Sequence, residues 1–184
     1  MNLPFNERKA TQAAARLLKL RGSSMSYLKL IKLLYLADRE ALLRWGRSIT
    51  TDQYVSMRHG PVLSHVLNLV TEEDSPGDPS IWAQHVSEPE HYSVRLQSDP
   101  GEDELSTAEM QLLDEIFKKY GAKTRWNLVD ITHQLPEWKD PQGSAIPISY
   151  RDILKAGGKK ESEITAIEDE LEEVALMENL LGAH

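Results

Sequence analysis

The chain reads as mainly α, an α+β domain: a compact helical domain around a small β-hairpin or short antiparallel sheet, with an acidic helix at its end. Three observations predict this. Apolar residues recur at spacings of three and four over long stretches, closed by cap residues and glycines. Between two such stretches lies RSITTDQYVSM (47–57), which lacks that period and is rich in β-favouring residues. The final segment places Ile164, Ile167, Leu171 and Val174 at helical spacing, with eight acids between Glu161 and Glu178.

In order, Asn6 is a plausible N-cap, Ala10, Ala13, Ala14, Leu17 and Leu18 follow at helical spacing, and Gly22 closes the helix. A longer helix runs from near Ser26 to Gly46. Leu30, Leu33, Leu34, Ala37 and Ala41 form its apolar face, with Lys29, Lys32, Arg39 and Glu40 on the wet side. After 47–57, a loop or short strand, Gly60 breaks the chain and Pro61 opens a short helix, PVLSHVLNLV. TEEDSPGDPS (71–80) is a turn-rich loop, and IWAQHVSEPEHYSVRLQS reads as two extended runs around Glu88-Pro89-Glu90. Ser106 and Glu109 form a capping box before TAEMQLLDEIFKKY, which Gly121 ends. A helix from Thr124 carries Trp126, Leu128, Val129 and Ile131 to His133. The Pro/Gly-rich loop LPEWKDPQGSAIP follows, then a short turn capped by Ser149 and the acidic helix. That helix can dock on its own basic N-terminal half, pair with itself or bind a partner; docking on its own domain is the primary reading.

The 184 residues suffice for one domain with a sizeable core. No apolar run approaches the roughly 18–20 residues of a membrane span, and MNLPFNERKA lacks a signal-peptide pattern, so the expected setting is the cytoplasm. With no cysteine there is no disulfide, thiol nucleophile or Cys-based metal site. A net charge of −8 argues against nonspecific nucleic-acid binding. The charge is uneven: residues 1–70 hold 11 Lys/Arg against 4 Asp/Glu, and residues 71–184 hold 10 against 25. Such asymmetry marks either a partner surface or two halves that attract each other.

MRHGPVLSH (57–65) looks most like a site. His59 and His65 stand six apart across the expected helix start, not at the i, i+4 spacing of a helical zinc motif, and no HExxH occurs. His65 falls on the flank of the arc made by Val62, Leu63, Val66, Leu67 and Val70, so a structural role outweighs metal binding. No nucleophile elbow, phosphate loop or dinucleotide fingerprint is present, and nothing calls for catalysis or a cofactor. A concealed helix-turn-helix is an alternative, weakened because the helix expected after Pro61 has no Lys or Arg. The aromatic set reads as core, except Trp138 in PEWKD, which either anchors a partner or plugs loop to core.

KLIKLLYLADREALLRWGRSITTDQYVSMRHGPVLSHV resembles the signature of the Panacea domain, the SocA-like antitoxin family. The pieces are Lys29 to Tyr35, Gly46 to Ile49, Tyr54, and His59 to Val62. LSTAEMQLLDEIFKKYG and Thr132-His133…Pro136-x-Trp138 extend the similarity, which runs from about residue 8 to 155. The resemblance implies a mainly helical fold with a small β element. It also implies a non-catalytic antitoxin, of a kind tied to prokaryotic and phage genes, that neutralises a cognate protein toxin by direct contact. One member of the family is an adaptor handing its toxin to a protease. The expected division is a Panacea-like domain at 1–158 and an acidic helix at 159–184. The expected partner contacts are Tyr54, Arg58, His59, Trp138, Glu168 and Glu172, with no metal, cofactor or membrane. A protease and a second copy are further candidate partners. His59 either shapes the corner through hydrogen bonds or faces the partner. The acidic stretch Glu161 to Glu178 is expected to face a basic toxin cleft. The alternatives are a DNA-binding regulator and a proteolytic adaptor.

Overall fold

A computed structural model describes residues 3–72 and 77–182. Among these, five short strands are interspersed with eight helices along the chain. Helix α1 (Glu7–Leu20) starts where the Asn6 side chain accepts the Lys9 N–H at 3.0 Å. It ends at Gly22, φ +79°, where the Ser23 N–H reaches the Leu18 carbonyl and the Gly22 N–H that of Lys19. This pair of bonds is the Schellman stop that a glycine permits at low cost. Strand β1 (Ser24–Ser26) leads into α2 (Tyr27–Trp45), capped by Ser26 and closed at the left-handed Gly46.

Lys29 and Lys32 do not lie on a wet side. Both are buried, because α2 is the central helix, packed by α1 and by later segments described below. A helix enclosed on most sides has no broad solvent face, so its cations must find acceptors inside the protein.

Strand β2 (Tyr54–Met57) pairs antiparallel with β3 (Gly60–Leu63), in register Tyr54↔Leu63 and Met57↔Gly60. Pro61 therefore sits in a strand, not at a helix start. It is tolerated because β3 is an edge strand, where the missing N–H breaks no ladder. Helix α3 (Ser64–Thr71) begins three residues later than the Pro61 signal suggests. Its cap comes from a distance: Asp52 accepts the N–H groups of His65 at 2.9 Å and Val66 at 3.0 Å. The turn-rich loop expected at 71–80 falls partly on residues 73–76, outside the described residues.

The stretch expected to be extended starts as helix α4 (Ile81–His85). Ser80 caps it, and Glu7 of α1 accepts the Trp82 N–H at 3.1 Å. The other half does form a strand, β4 (Ser93–Arg95), paired with β1. Helix α5 (Thr107–Tyr120) carries the predicted Ser106/Glu109 capping box. Helix α6 (Arg125–His133) has a second box from Thr124 and Asn127. Strand β5 (Ile146–Ile148) emerges from a stretch read as loop and completes the sheet β3-β2-β5. Helix α7 (Tyr150–Ala156), capped by Ser149, leads to α8 (Glu161–Leu181).

Ile164 of α8 joins the core that includes Leu17, Leu34, Leu113, Leu128 and Ile153. Ile167 packs on Gly46, and Leu171 and Ala175 are also buried. Val174, expected on the same stripe, is exposed with Met177, Leu180 and Leu181. It lies roughly 80° round the helix from the Leu171/Ala175 line, beyond the width of the contact. No described helix is long and apolar enough to cross a membrane.

Candidate functional site

The polar residues buried along α2 frame the site. Lys29, Lys32, Tyr35 and Arg39 recur at three- and four-residue intervals, so they share one face of the helix. Each reaches a different distant segment. Lys29 Nζ donates to the Gly121 carbonyl at the end of α5, and Lys32 Nζ to the Pro61 carbonyl of β3 at 2.7 Å. Tyr35 Oη (2.9 Å) and Arg39 Nε (2.6 Å) both donate to the carboxylate of Glu137, one residue before Trp138. A second buried acid, Asp38, accepts the Ile49 and Thr50 N–H groups, the Thr50 hydroxyl and the Tyr54 hydroxyl. Burial pushes its carboxyl up to about 6 against the opposing pull of those donors.

This frame holds the tight turn Arg58-His59 between β2 and β3. Trp138 Nε1 donates to the Met57 carbonyl, and His133 Nε2 to the Arg58 carbonyl, each at 3.0 Å. The two rings stack with centroids 4.1 Å apart. Gly60 has φ +99°, and a Cβ there would sit 2.7 Å from Thr132 Oγ1, so the turn fits only without a side chain.

With its backbone held from behind, the turn presents Arg58 and His59 outward. The His59 ring meets Trp126 edge to face at 5.5 Å, and Arg125 lies over the same indole. Tyr27 and Tyr92 line the same cleft, their ring centroids 6.4 Å apart. Together these residues line a cleft of about 520 Å³, within the size range of ligand and anchor pockets. Trp126 is 50% exposed and Tyr92 68%. Tyr92 is held there by a strained hairpin: His91 and Tyr92 have φ of +50° and +64°, and Glu90 and Ser93 exchange backbone hydrogen bonds across them. That conformation is normally left to Asn-Gly or Gly-Gly.

The expected contacts therefore separate. Arg58 and His59 meet in the cleft. Trp138 is half-buried behind the turn, which is the plug arrangement. Tyr54 is a correction: at 2% exposure it is sealed in the core on Tyr35 and Asp38, beyond the reach of any partner. Glu168 and Glu161 are both bound to Arg151 of α7, whereas Glu172 is exposed on α8. His65 bonds Asp52 through Nδ1 at 2.8 Å and stacks on Phe5, a structural arrangement. Tyr27, Tyr92, Arg125 and Trp126 were not anticipated as surface residues. Trp126 was legible, since it falls about a third of a turn from the arc of Leu128, Val129 and Thr132.

In a comparison with protein families, residues 30–139 fit the family described as "Antitoxin SocA-like, Panacea domain". The chain belongs to this family. The Panacea match spans most of α2, the β2–β3 turn, α5, α6 and Trp138, so all of the frame but Lys29 and most of the cleft lie within it, and α8 does not. No curated protein and no solved structure matches the chain.

One feature of this Panacea domain has the mark of a reactive group. Burial pushes the Lys32 ammonium down to about 7, and displaced lysines often act as bases or nucleophiles. Lys32 is 0% exposed, however, and donates to a backbone carbonyl, so it works as a strut. Among the described residues no group of three or more His, Asp or Glu could hold a metal. A larger hollow of about 760 Å³ lies between the N-terminal segment and α8. Its lining mixes Arg8 and Lys9 with Glu104 and Glu109, and shares no residue with the cleft at the framed turn.

Proposed function

We propose that this chain is an antitoxin that neutralises a cognate protein toxin by direct, non-catalytic contact in the cytoplasm, through the face carrying the 520 Å³ cleft. The observation that supports this most is the work done by the residues of the family motif. Lys32, His133 and Trp138 hold the backbone of the turn, Tyr35 anchors Glu137 beside Trp138, and Gly60 leaves the turn room, while what stands exposed is a set of aromatic and arginine side chains. Tyr, Trp and Arg are the residues that dominate binding energy when a partner covers them. Neutralisation needs coverage of the toxin's working surface and no cofactor.

Glu172 and its exposed neighbours on α8 offer a second, acidic contact for a toxin with a basic cleft. Glu161 and Glu168 contribute less, being engaged with Arg151. A protease adaptor role is compatible with the same contact.

The test is co-expression with the product of an adjacent small open reading frame. Wild-type chain restores growth and copurifies with the toxin, while soluble, folded Trp126→Ala and His59→Ala variants lose both. Rescue undiminished by either substitution would exclude the cleft. A salt-dependent mobility shift of promoter DNA with no toxin rescue would favour a transcriptional regulator.

A further inference from the structure

The charge around the cleft differs from that of the rest of the molecule. Its lining contains Arg58, Arg125 and His59, and no carboxylate. An adjoining hollow, sharing Ser26, Arg125 and Trp126, adds Arg21 and Lys29, again without a carboxylate. Elsewhere Arg8, Lys9, Arg16, Lys19, Arg39, Arg44 and Arg151 each pair with an acid. Among the described residues Arg21, Arg47, Arg58, Arg95 and Arg125 have no such pair, and three of them, Arg21, Arg58 and Arg125, line the cleft and its adjoining hollow. In a chain with 29 acids to 21 bases, three neighbouring unpaired arginines are an uncompensated local field. Its effect is felt inside the protein: burial first, and the Arg21 charge second, lower the pKa of Lys29.

We infer that the cleft takes an acidic segment of the partner protein, one aromatic or leucine anchor seated among Tyr27, Tyr92 and Trp126, flanked by carboxylates on Arg58 and Arg125. This deepens the antitoxin reading and rests on it. The arginine over Trp126 is already fixed on the indole face, so its fork is oriented before a carboxylate arrives. The rings supply desolvated contact area, and the cations set orientation and association rate. A nucleic acid would use the same rings and cations. It is disfavoured because a polyanion tracking beyond three arginines meets a molecule of net charge −8.

Panning a random peptide library of about 12 residues on the full-length protein, with Trp126→Ala as counter-selected bait, tests this. Enriched sequences should carry two or more Asp or Glu beside an aromatic residue or Leu. The best of them, labelled and titrated by fluorescence anisotropy, should bind Arg58→Glu/Arg125→Glu at least about tenfold more weakly, and should weaken as salt rises. Melting by circular dichroism establishes that the variants fold, and the single Arg58→Glu variant, on the exposed turn, replaces the double one if that one does not. Neutral or basic enriched sequences, no enrichment over Trp126→Ala, indifference to charge reversal, or tighter binding of a dT oligonucleotide would overturn the inference. Toxin rescue by the charge-reversed protein equal to wild type would refute the acidic partner alone. Absence of rescue by the wild type would refute the antitoxin reading instead.

Discussion

Lys32 shows how a cation can be structural and still govern pH behaviour. Its ammonium has left water for the Pro61 carbonyl, and burial lowers its pKa from 10.5 to about 7. The unfolded chain then binds a proton that the folded one releases between those values, so this group makes stability rise with pH across the window. Below about pH 7 both states are protonated and the penalty is fully in force. Urea denaturation at pH 6.5 and pH 9 should show wild type gaining stability. Lys32→Met should remove most of that gain and be the more stable protein at the lower pH. A slope unchanged in the variant would mean another group is responsible. Gly60, unlike Lys32, permits a single identity. Gly60→Ala meets both a φ of +99° and the Thr132 oxygen at 2.7 Å, at a cost of about 2 kcal/mol or more. The melting temperature should fall by several degrees, and Thr132→Ala in the same chain should recover only the steric part.

At the scale of elements, the hairpin before β4 trades stability for position. Two non-glycine residues in the left-handed region cost on the order of 1 kcal/mol each, yet they keep Tyr92 on the rim of the cleft. Replacing His91-Tyr92 with Asn-Gly should raise stability by about 1 kcal/mol or more and weaken partner binding in the same protein. A melt and a binding titration on one preparation check both. A stabilised variant that binds as well as wild type would make the strain incidental. The capping of α3 shows why its start was misplaced. Its cap, Asp52, lies outside the helix and beyond β2, while Pro61 offered a local and misleading signal.

For the whole molecule, α8 is half integrated. Its N-terminal turns are tied by Ile164 in the core and by Arg151 to Glu161 and Glu168, while beyond Ala175 the apolar residues face outward. Amide exchange should therefore be slow near Ile164 to Leu171 and approach that of a solvent-exposed helix from Leu176 to Leu181. Uniform protection along the helix would show that something covers its end. Deleting residues 159–184 would also strip Ile164 from the core, so Glu172→Lys is the cleaner test of the acidic surface. Glu172→Lys should leave the melting temperature unchanged within about 2 °C, as surface substitutions do.

Much of the fold was legible because its signals act over three or four residues. Asn6, Ser26, Ser106, Thr124 and Ser149 each cap the helix they precede, and Gly22 and Gly46 each close one. What the local pattern missed depends on contacts made across many residues: the burial of Lys29 and Lys32, the sealing of Tyr54, helix α4 and strand β5. The site divided along the same line. The sequence by itself determined most of the helices, their caps, the family and the break in the chain at Gly60. Only the tertiary structure decided that the motif faces inward and that Trp126, Tyr92 and two arginines face out. The reason is physical: a cap is satisfied within one turn of chain, whereas a buried cation or a cleft exists only once distant segments supply its acceptors and its walls.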